Sequence, residues 1–418
     1  MHQITPKKGP MIRHQVYFDT LGSMQEDSAS WCAVFAGLSV LRLVDAYTDT
    51  GSSIDPANWA QLHSVRAAIE QIGEGDTVRG ALTCVLEEVT NRSAIDEAVC
   101  RSLLVYGRAL DHGAAWGLAI DVFSTVAKLT RPEKNAKLAV EAHVAVGGSA
   151  RRNGDWDTSA RAYSQAAFIA DTLGDRRGVL TVQVGIANTY MAKGNLPQAQ
   201  TILDDVVVQA RDQYLPEVQA IALHSRSSLA LRRGEKAEAV QLAHEALSLT
   251  TNPASRDTVL EDLAVAFSEI GMRDAARDTH LILASTAQLK WVRWQATINL
   301  MELASYDEMQ DAFNSYAAEL RKAPLGPWLK SHFLLFLGEG LGRFERYEAA
   351  EQAFEETIAY AGANQIHAVT FKAEAEIVEA RARSHRAQTA PVFDSIPAEV
   401  LAAAHSISEL RKATLTAA

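Results

Sequence analysis

Apolar positions along the chain recur every three or four residues, over segments of roughly 12 to 20 residues, which is the period of a helix with one buried face. Alternation of the strand kind is scarce, and no hairpin dipeptide separates two apolar segments. Ala, Leu, Glu, Gln and Arg dominate instead, all good helix formers. The pattern predicts an all-α chain. Short polar punctuation divides the segments, as in Arg152-Asn153-Gly154-Asp155, Lys193-Gly194-Asn195 and Arg233-Gly234-Glu235, and these three glycines stand 40 residues apart. A fixed period of that size predicts a stacked array of helix pairs.

Aligning the segments on the turn places a small residue seven positions before it and another five positions after it. The pairs are Gly147 and Ser159, Ala187 and Ala199, and Ser227 and Ala239, extending back to Gly107 and Ala119 and forward to Ala264 and Ala276 and to Gly338 and Ala350. The interval contracts and expands around 40. Two helices approach to about 8 Å only where small side chains occupy the crossing, so one small residue on each helix fixes the contact. Larger residues then fill the flanks: Tyr106, Trp116 and Phe123, then Trp156 and Tyr163, then Ile186, Tyr190 and Leu203, then Leu263 and Phe267. They are expected in the core.

This spacing resembles the tetratricopeptide repeat family over roughly residues 100 to 365. The best stretches run from Tyr106-Gly107 through Trp116, Ala119, Phe123 and Pro132, from Asn188-Thr189-Tyr190 through Gly194 and Ala199, and from Leu337-Gly338 through Tyr347, Ala350 and Phe354. The resemblance implies a right-handed superhelical solenoid of antiparallel helix pairs, in the long-helix variety seen in bacterial regulators and scaffolds. Residues 290 to 323 keep Tyr306, Phe313 and Tyr316 but put Thr297 and Met309 where small residues belong, so that unit reads as degenerate.

The ends read differently. Residues 1 to 28 lack helical periodicity and are expected to form a flexible arm. Residues 29 to 95 are expected to form a helical cap, with helices at 29 to 48, 57 to 72 and 76 to 90, the last two a worn repeat marked by Ala68, Gly75 and Gly80. The solenoid follows over 96 to 383, then a loop over 384 to 396. A capping helix and tail over 397 to 418, started by Ser395, Pro397 and Glu399, would cover the final apolar face with Val400, Leu401, Ile407 and Leu410.

Composition narrows the function classes. With 418 residues, 48% of them apolar, the chain can bury a large core, and a net charge of −11 makes it a poor general binder of nucleic acid. The longest apolar run, Trp31 to Val44, falls short of the roughly 20 residues of a bilayer span, so no membrane partner is expected. No signal-peptide segment follows Lys7, Lys8 and Arg13, and Cys32, Cys84 and Cys100 are odd in number and unclustered. A cytoplasmic protein is expected.

Catalytic motifs are missing. There is no phosphate-cradling Gly loop, no His-Glu-x-x-His, no Cys-x-x-Cys and no Gly-x-Ser-x-Gly, and Gly73-Glu74-Gly75 lacks a preceding strand. Gly338, Gly340 and Gly342 fall inside a repeat helix and read as close packing or a bend. A non-catalytic chain without metal or cofactor is expected. The resemblance implies that the first helix of each unit lines a concave groove, and carrying its groove positions over gives Arg101, Arg108, Asp111, His112, Glu141, Arg151, Arg152, Asn188, His224, Ser228 and Arg232. Arginine forks and an amide suit an acidic segment or an extended peptide, or they simply form a solvated face. Further along come Glu261, Glu269, Trp291, Trp294, Met301 and Glu339, where the tryptophans either anchor a partner or pack on a neighbouring helix. The expected function is a scaffold or regulatory subunit binding a protein or peptide in the groove. The alternatives are a peptide-responsive regulator resembling the quorum-sensing members of the family, and a non-catalytic subunit of an enzyme complex.

Overall fold

The computed structural model describes residues 12–26, 28–50, 59–74, 76–91, 94–288, 290–364, 366–382 and 396–416, and among them it contains helices and no strand. The chain divides into two compact units, one up to Gly185 and one from Ile186 onward. In the first unit α1 (Gln15–Gly22), α2 (Ala29–Thr50), α3 (Trp59–Glu70) and α4 (Thr77–Asn91) precede the pairs α5 (Glu97–His112) with α6 (Trp116–Leu129) and α7 (Pro132–Arg152) with α8 (Trp156–Thr172). The boundary falls inside α9 (Arg176–Ala192). In the second unit, after the end of α9, come α10 (Leu196–Asp212), α11 (Pro216–Arg233) with α12 (Lys236–Leu249), and α13 (Pro253–Ile270) with α14 (Arg273–Thr286). There follow α15 (Lys290–Tyr306) with α16 (Gln310–Lys322), α17 (Pro327–Arg343) with α18 (Tyr347–Ala363), α19 (His367–Arg381) and α20 (Ala398–Thr416).

Each link from a first to a second helix is the same turn. One residue takes the left-handed conformation, at Ala114, Gly154, Gly194, Gly234, Gly271, Glu308 and Glu345, and the next N–H donates to the carbonyl five residues back, as Asp155 does to Ala150 and Arg346 to Leu341, both at 2.9 Å. This closes the orphan carbonyls of the ending helix. Asp155 and Asn195 then cap the helix that starts, accepting from Thr158 N and Gln198 N. The turns lie 40 residues apart from Ala114 to Gly234 and 37 apart from Gly234 to Glu345, so the period changes once rather than drifting. The second helices vary in length as well, 17 residues in α8, α10 and α18 and 14 in α6, α12 and α14.

The small residues sit at real crossings. Ser159 Oγ donates to Gly147 O at 2.9 Å and Ser227 Oγ to Ala239 O at 2.8 Å, each pair tying the two helices of one repeat. A Cβ on Gly107 would meet the Phe123 ring at well under 3.0 Å, one on Gly147 the Tyr163 ring at 2.8 Å and one on Gly338 the Phe354 ring at 2.6 Å. Each of these aromatics stands nine residues past its turn, four beyond the small residue of the second helix. The repeat at 290 to 323 is corrected accordingly. Its turn residue is Glu308, so the crossing positions hold Met301 and Phe313 rather than Thr297 and Met309, one helical turn later than the sequence suggested. Met301 faces the register position of Ala317, reversing large and small, and both belong to one core. Phe313 leans instead on the next first helix, where a Cβ on Gly340 would strike its ring. Gly338 and Gly340 thus each accept one ring, and α17 is continuous through them.

Four expectations at the ends need correction. Residues 1–11 and 27 lie outside the described residues, but residues 15–22 of the supposed arm form α1, packed on α2 and α6. Tyr17 is fully buried with its hydroxyl 3.2 Å from that of Tyr106, and His14 lies between Asp121 (Nδ1, 2.5 Å) and Asp45 (Nε2, 3.3 Å). Helix α2 outlasts its apolar run: Ala29–Asp49 is long and apolar enough to cross a membrane by length and composition, although 56% of its most apolar window is buried here against the unit's other helices. The worn repeat fails the crossing rule, because a Cβ on Gly80 would meet nothing within 4 Å; Gly75 lies outside the described residues. Finally, α20 does not cover α19. It packs on α12 and α14, burying Val400, Ala403 and Ile407 and pairing Arg411 with Asp278 at 3.0 Å, while Leu401 stays exposed. The linker at 383–395 lies outside the described residues.

Two outcomes follow from this packing. Gly107→Leu or Ala199→Leu overpacks a buried crossing and costs about 1–3 kcal/mol, read as a lower Tm, whereas Arg108→Ala leaves the Tm nearly unchanged because its ion pair is half-exposed. Burial disfavours the His14 imidazolium, but Asp121 and Asp45 outweigh it and the pKa rises above 6.5. A raised histidine pKa stabilises fully below 6.5 and is lost as pH climbs through the folded value. Amide exchange in α1 accelerates across that window, and His14→Gln removes the step while leaving exchange fast at every pH.

Candidate functional site

The polar side chains singled out by position gather where the first helices of successive repeats meet. In the unit up to Gly185, Arg108 on α5 pairs with Glu141 on α7, and Asp111 on α5 accepts from Ser149 Oγ at 2.6 Å and from the Arg152 guanidinium. Arg151 is half-buried near Tyr163, and burial lowers its pKa. Arg101 folds back on its own helix to Glu97 at 2.9 Å. His112, beside Asp111, has a lowered pKa because burial disfavours its charge.

The second unit repeats the device with different groups. Asn188 Nδ2 on α9 donates to Ser225 Oγ on α11 at 3.3 Å. His224 and Ser228 on α11 both bind Asp262 Oδ2 on α13, at 2.7 and 3.0 Å. The two hydrogen bonds outweigh burial and hold the Asp262 carboxyl below its usual range, while burial and the Asp262 charge push neighbouring Glu261 up to about 7. Ser228 Oγ also lies 3.3 Å from the His224 main-chain carbonyl, so serine and histidine meet at one carboxylate and clasp α11 to α13. Arg232 projects into solvent. Trp291 and Trp294 are half-buried: Trp291 packs on the core around α13 and α14 as well as that around α17, and Trp294 on the latter.

A third cluster escaped the reading from sequence, except for Glu339. Glu302 on α15, Glu339 on α17 and Glu376 on α19 stand 37 residues apart, at one register position of three consecutive first helices. Glu339 is buried and is met by Lys372 Nζ at 2.7 Å and Arg343 at 3.3 Å. Arg343 also donates to Ser305 Oγ at 2.9 Å and to Tyr306 Oη at 2.8 Å, and stacks 3.8 Å above the Tyr306 ring centroid. Burial, then the Glu339 charge, pushes Glu302 up to about 7, and Glu376 moves upward for the same two reasons. Burial takes Tyr306 up to about 12. The exact spacing of the three glutamates was visible in the sequence once the 37-residue period is known.

These carboxylates give a pH prediction with a definite sign. A carboxyl raised to about 7 in the folded state stabilises fully below 4.5, and that contribution is lost as pH rises through 7. Glu302→Gln with Glu261→Gln therefore raises the Tm relative to the unsubstituted chain at pH 8 more than at pH 5.5. Comparing the two chains at each pH cancels the opposite trend of fully buried His280, which burial lowers to about 4.

No family model and no curated protein sequence matches the chain. Among solved structures it is similar to a Rap protein complexed with Competence and Sporulation Factor, over 85% of this chain and 98% of that one, at 14% identity and a TM-score of 0.34. The repeat fold therefore stands on the chain's own turns and crossings, and it is an all-α array of helix pairs.

Proposed function

We propose that this chain is a non-catalytic scaffold or regulatory subunit that binds a partner protein or peptide along the face where its first helices meet. One observation carries the reading: at that face successive repeats are joined by polar clasps, while the two helices of a repeat meet mainly through small residues and rings. The Arg108 and Glu141 side chains are 50% and 39% exposed, so that pair is worth no more than about 1 kcal/mol and can be exchanged, while Arg152 is 39% exposed over an Asp111 that keeps the Ser149 hydroxyl as a partner. An acidic segment offers carboxylates that replace Glu141 and Asp111 at the two arginine forks, and bidentate geometry makes that exchange selective. In the other unit, Asn188 and Ser225 separately offer donors and acceptors that suit an extended backbone.

A direct test captures partners from the source organism's lysate with mass spectrometry as readout, using the Arg108→Glu, Arg152→Glu chain as control. A stoichiometric protein that is lost in the variant, whose circular dichroism stays helical, supports the reading. Equal capture by both chains refutes it for this face. A short peptide that contracts the chain in small-angle scattering moves the assignment from scaffold to peptide-responsive regulator.

A further inference from the structure

The second helices carry a different surface, and α20 shows what it accepts. In the seat of α20 on α12 and α14, apolar side chains of both helices and of α13 form the floor, and Asp278 at the edge receives Arg411. Two repeats later, between α16 and α18, lies an open cleft of about 320 Å³ floored by α17. Its lining follows the seat of α20 at a constant offset of 74 residues: Ala317 after Ala243, Leu337 after Leu263, Leu341 after Phe267, Ala349 after Ala275 and Gln352 after Asp278. The cleft is open because α17 packs directly against α15 and only lightly on α16.

The rim differs in one respect that selects the occupant. Arg321 and Arg346 stand where the seat of α20 has Leu247 and Met272, and both are exposed. Glu356 is the one carboxylate in the lining. The chain's own α20 is already seated, and a second copy would lose the partner of Arg411, because Gln352 stands where the seat has Asp278, and would bring its cations into a cleft rimmed by two arginines. We propose that the α16/α18 cleft is a docking site for an amphipathic helix of a partner protein, with Val, Ala and Ile-sized residues spaced like Val400, Ala403 and Ile407 and with an acidic rather than a basic polar side. Such a helix-in-groove contact places an apolar stripe on the Leu337 and Leu341 floor and acid groups on the arginine rim. The site is separate from the first-helix face and stands or falls without it.

The probe is a dye-labelled peptide of residues 397–416 in two forms, unmodified and with Arg411→Glu and Lys412→Glu, titrated with the full chain and read by fluorescence anisotropy. The acidic form is expected to bind with 1:1 saturation, about tenfold tighter than the unmodified form. In the Arg321→Glu, Arg346→Glu chain the preference inverts, an outcome that a misfolded variant cannot mimic. Absence of saturable binding, or an acidic preference that survives in the charge-reversed chain, overturns the proposal.

Discussion

The array depends on one steric bargain, struck again at every repeat: what the first helix gives up in side-chain volume, the second helix fills. Gly107, Gly147 and Gly338 accept rings from Phe123, Tyr163 and Phe354, and Met301 opposite Ala317 performs the exchange in reverse. Adding one methylene at such a site moves a whole helix, because the ring on the other side has nowhere to go. The tight left-handed turns work to the same end, since they fix how far along each helix the crossing falls.

Given that fixed frame, polarity is free to vary on the faces, and the two faces use the freedom differently. Where first helices meet, charged and amide groups link one repeat to the next, from Asp111 with Ser149 to Glu339 with Lys372. Where second helices meet, the surface is apolar enough to seat another helix, and α20 occupies one such seat. Polar clasps and an apolar seat thus coexist on one scaffold, with different dependence on salt: the exposed ion pairs weaken as ionic strength screens them, the burial of the apolar stripe hardly at all.

The sequence announced the parts of this design that are local. Gly154, Gly194 and Gly234 marked their turns because glycine takes the left-handed conformation without strain, and the small residues around them followed. Glu308 takes the same conformation with no glycine to mark it, which is why the repeat around it was read one helical turn early. Helix α1 was invisible because it is only eight residues long and is held by Asp45, Tyr106 and Asp121, all distant in sequence. The site was half legible. Position alone placed Arg108 and Glu141 as well as Asn188, His224 and Glu339, but the partners that tune His224 and Glu339 lie about one repeat away, and nothing local to those residues foretells Asp262 or Lys372.

The seat of α20 has a consequence for how the second unit folds. In a simple repeat array every contact is with a neighbour, so the end can fray pair by pair and each pair melts with its own stability. Here Arg411 returns to Asp278, and everything between α14 and α20 is enclosed in a loop whose closure is lost or gained as a whole. The repeats inside that loop inherit a cooperativity that nearest-neighbour contacts alone do not supply. They also inherit a slower assembly, because a long-range contact must wait for the chain between its ends to order.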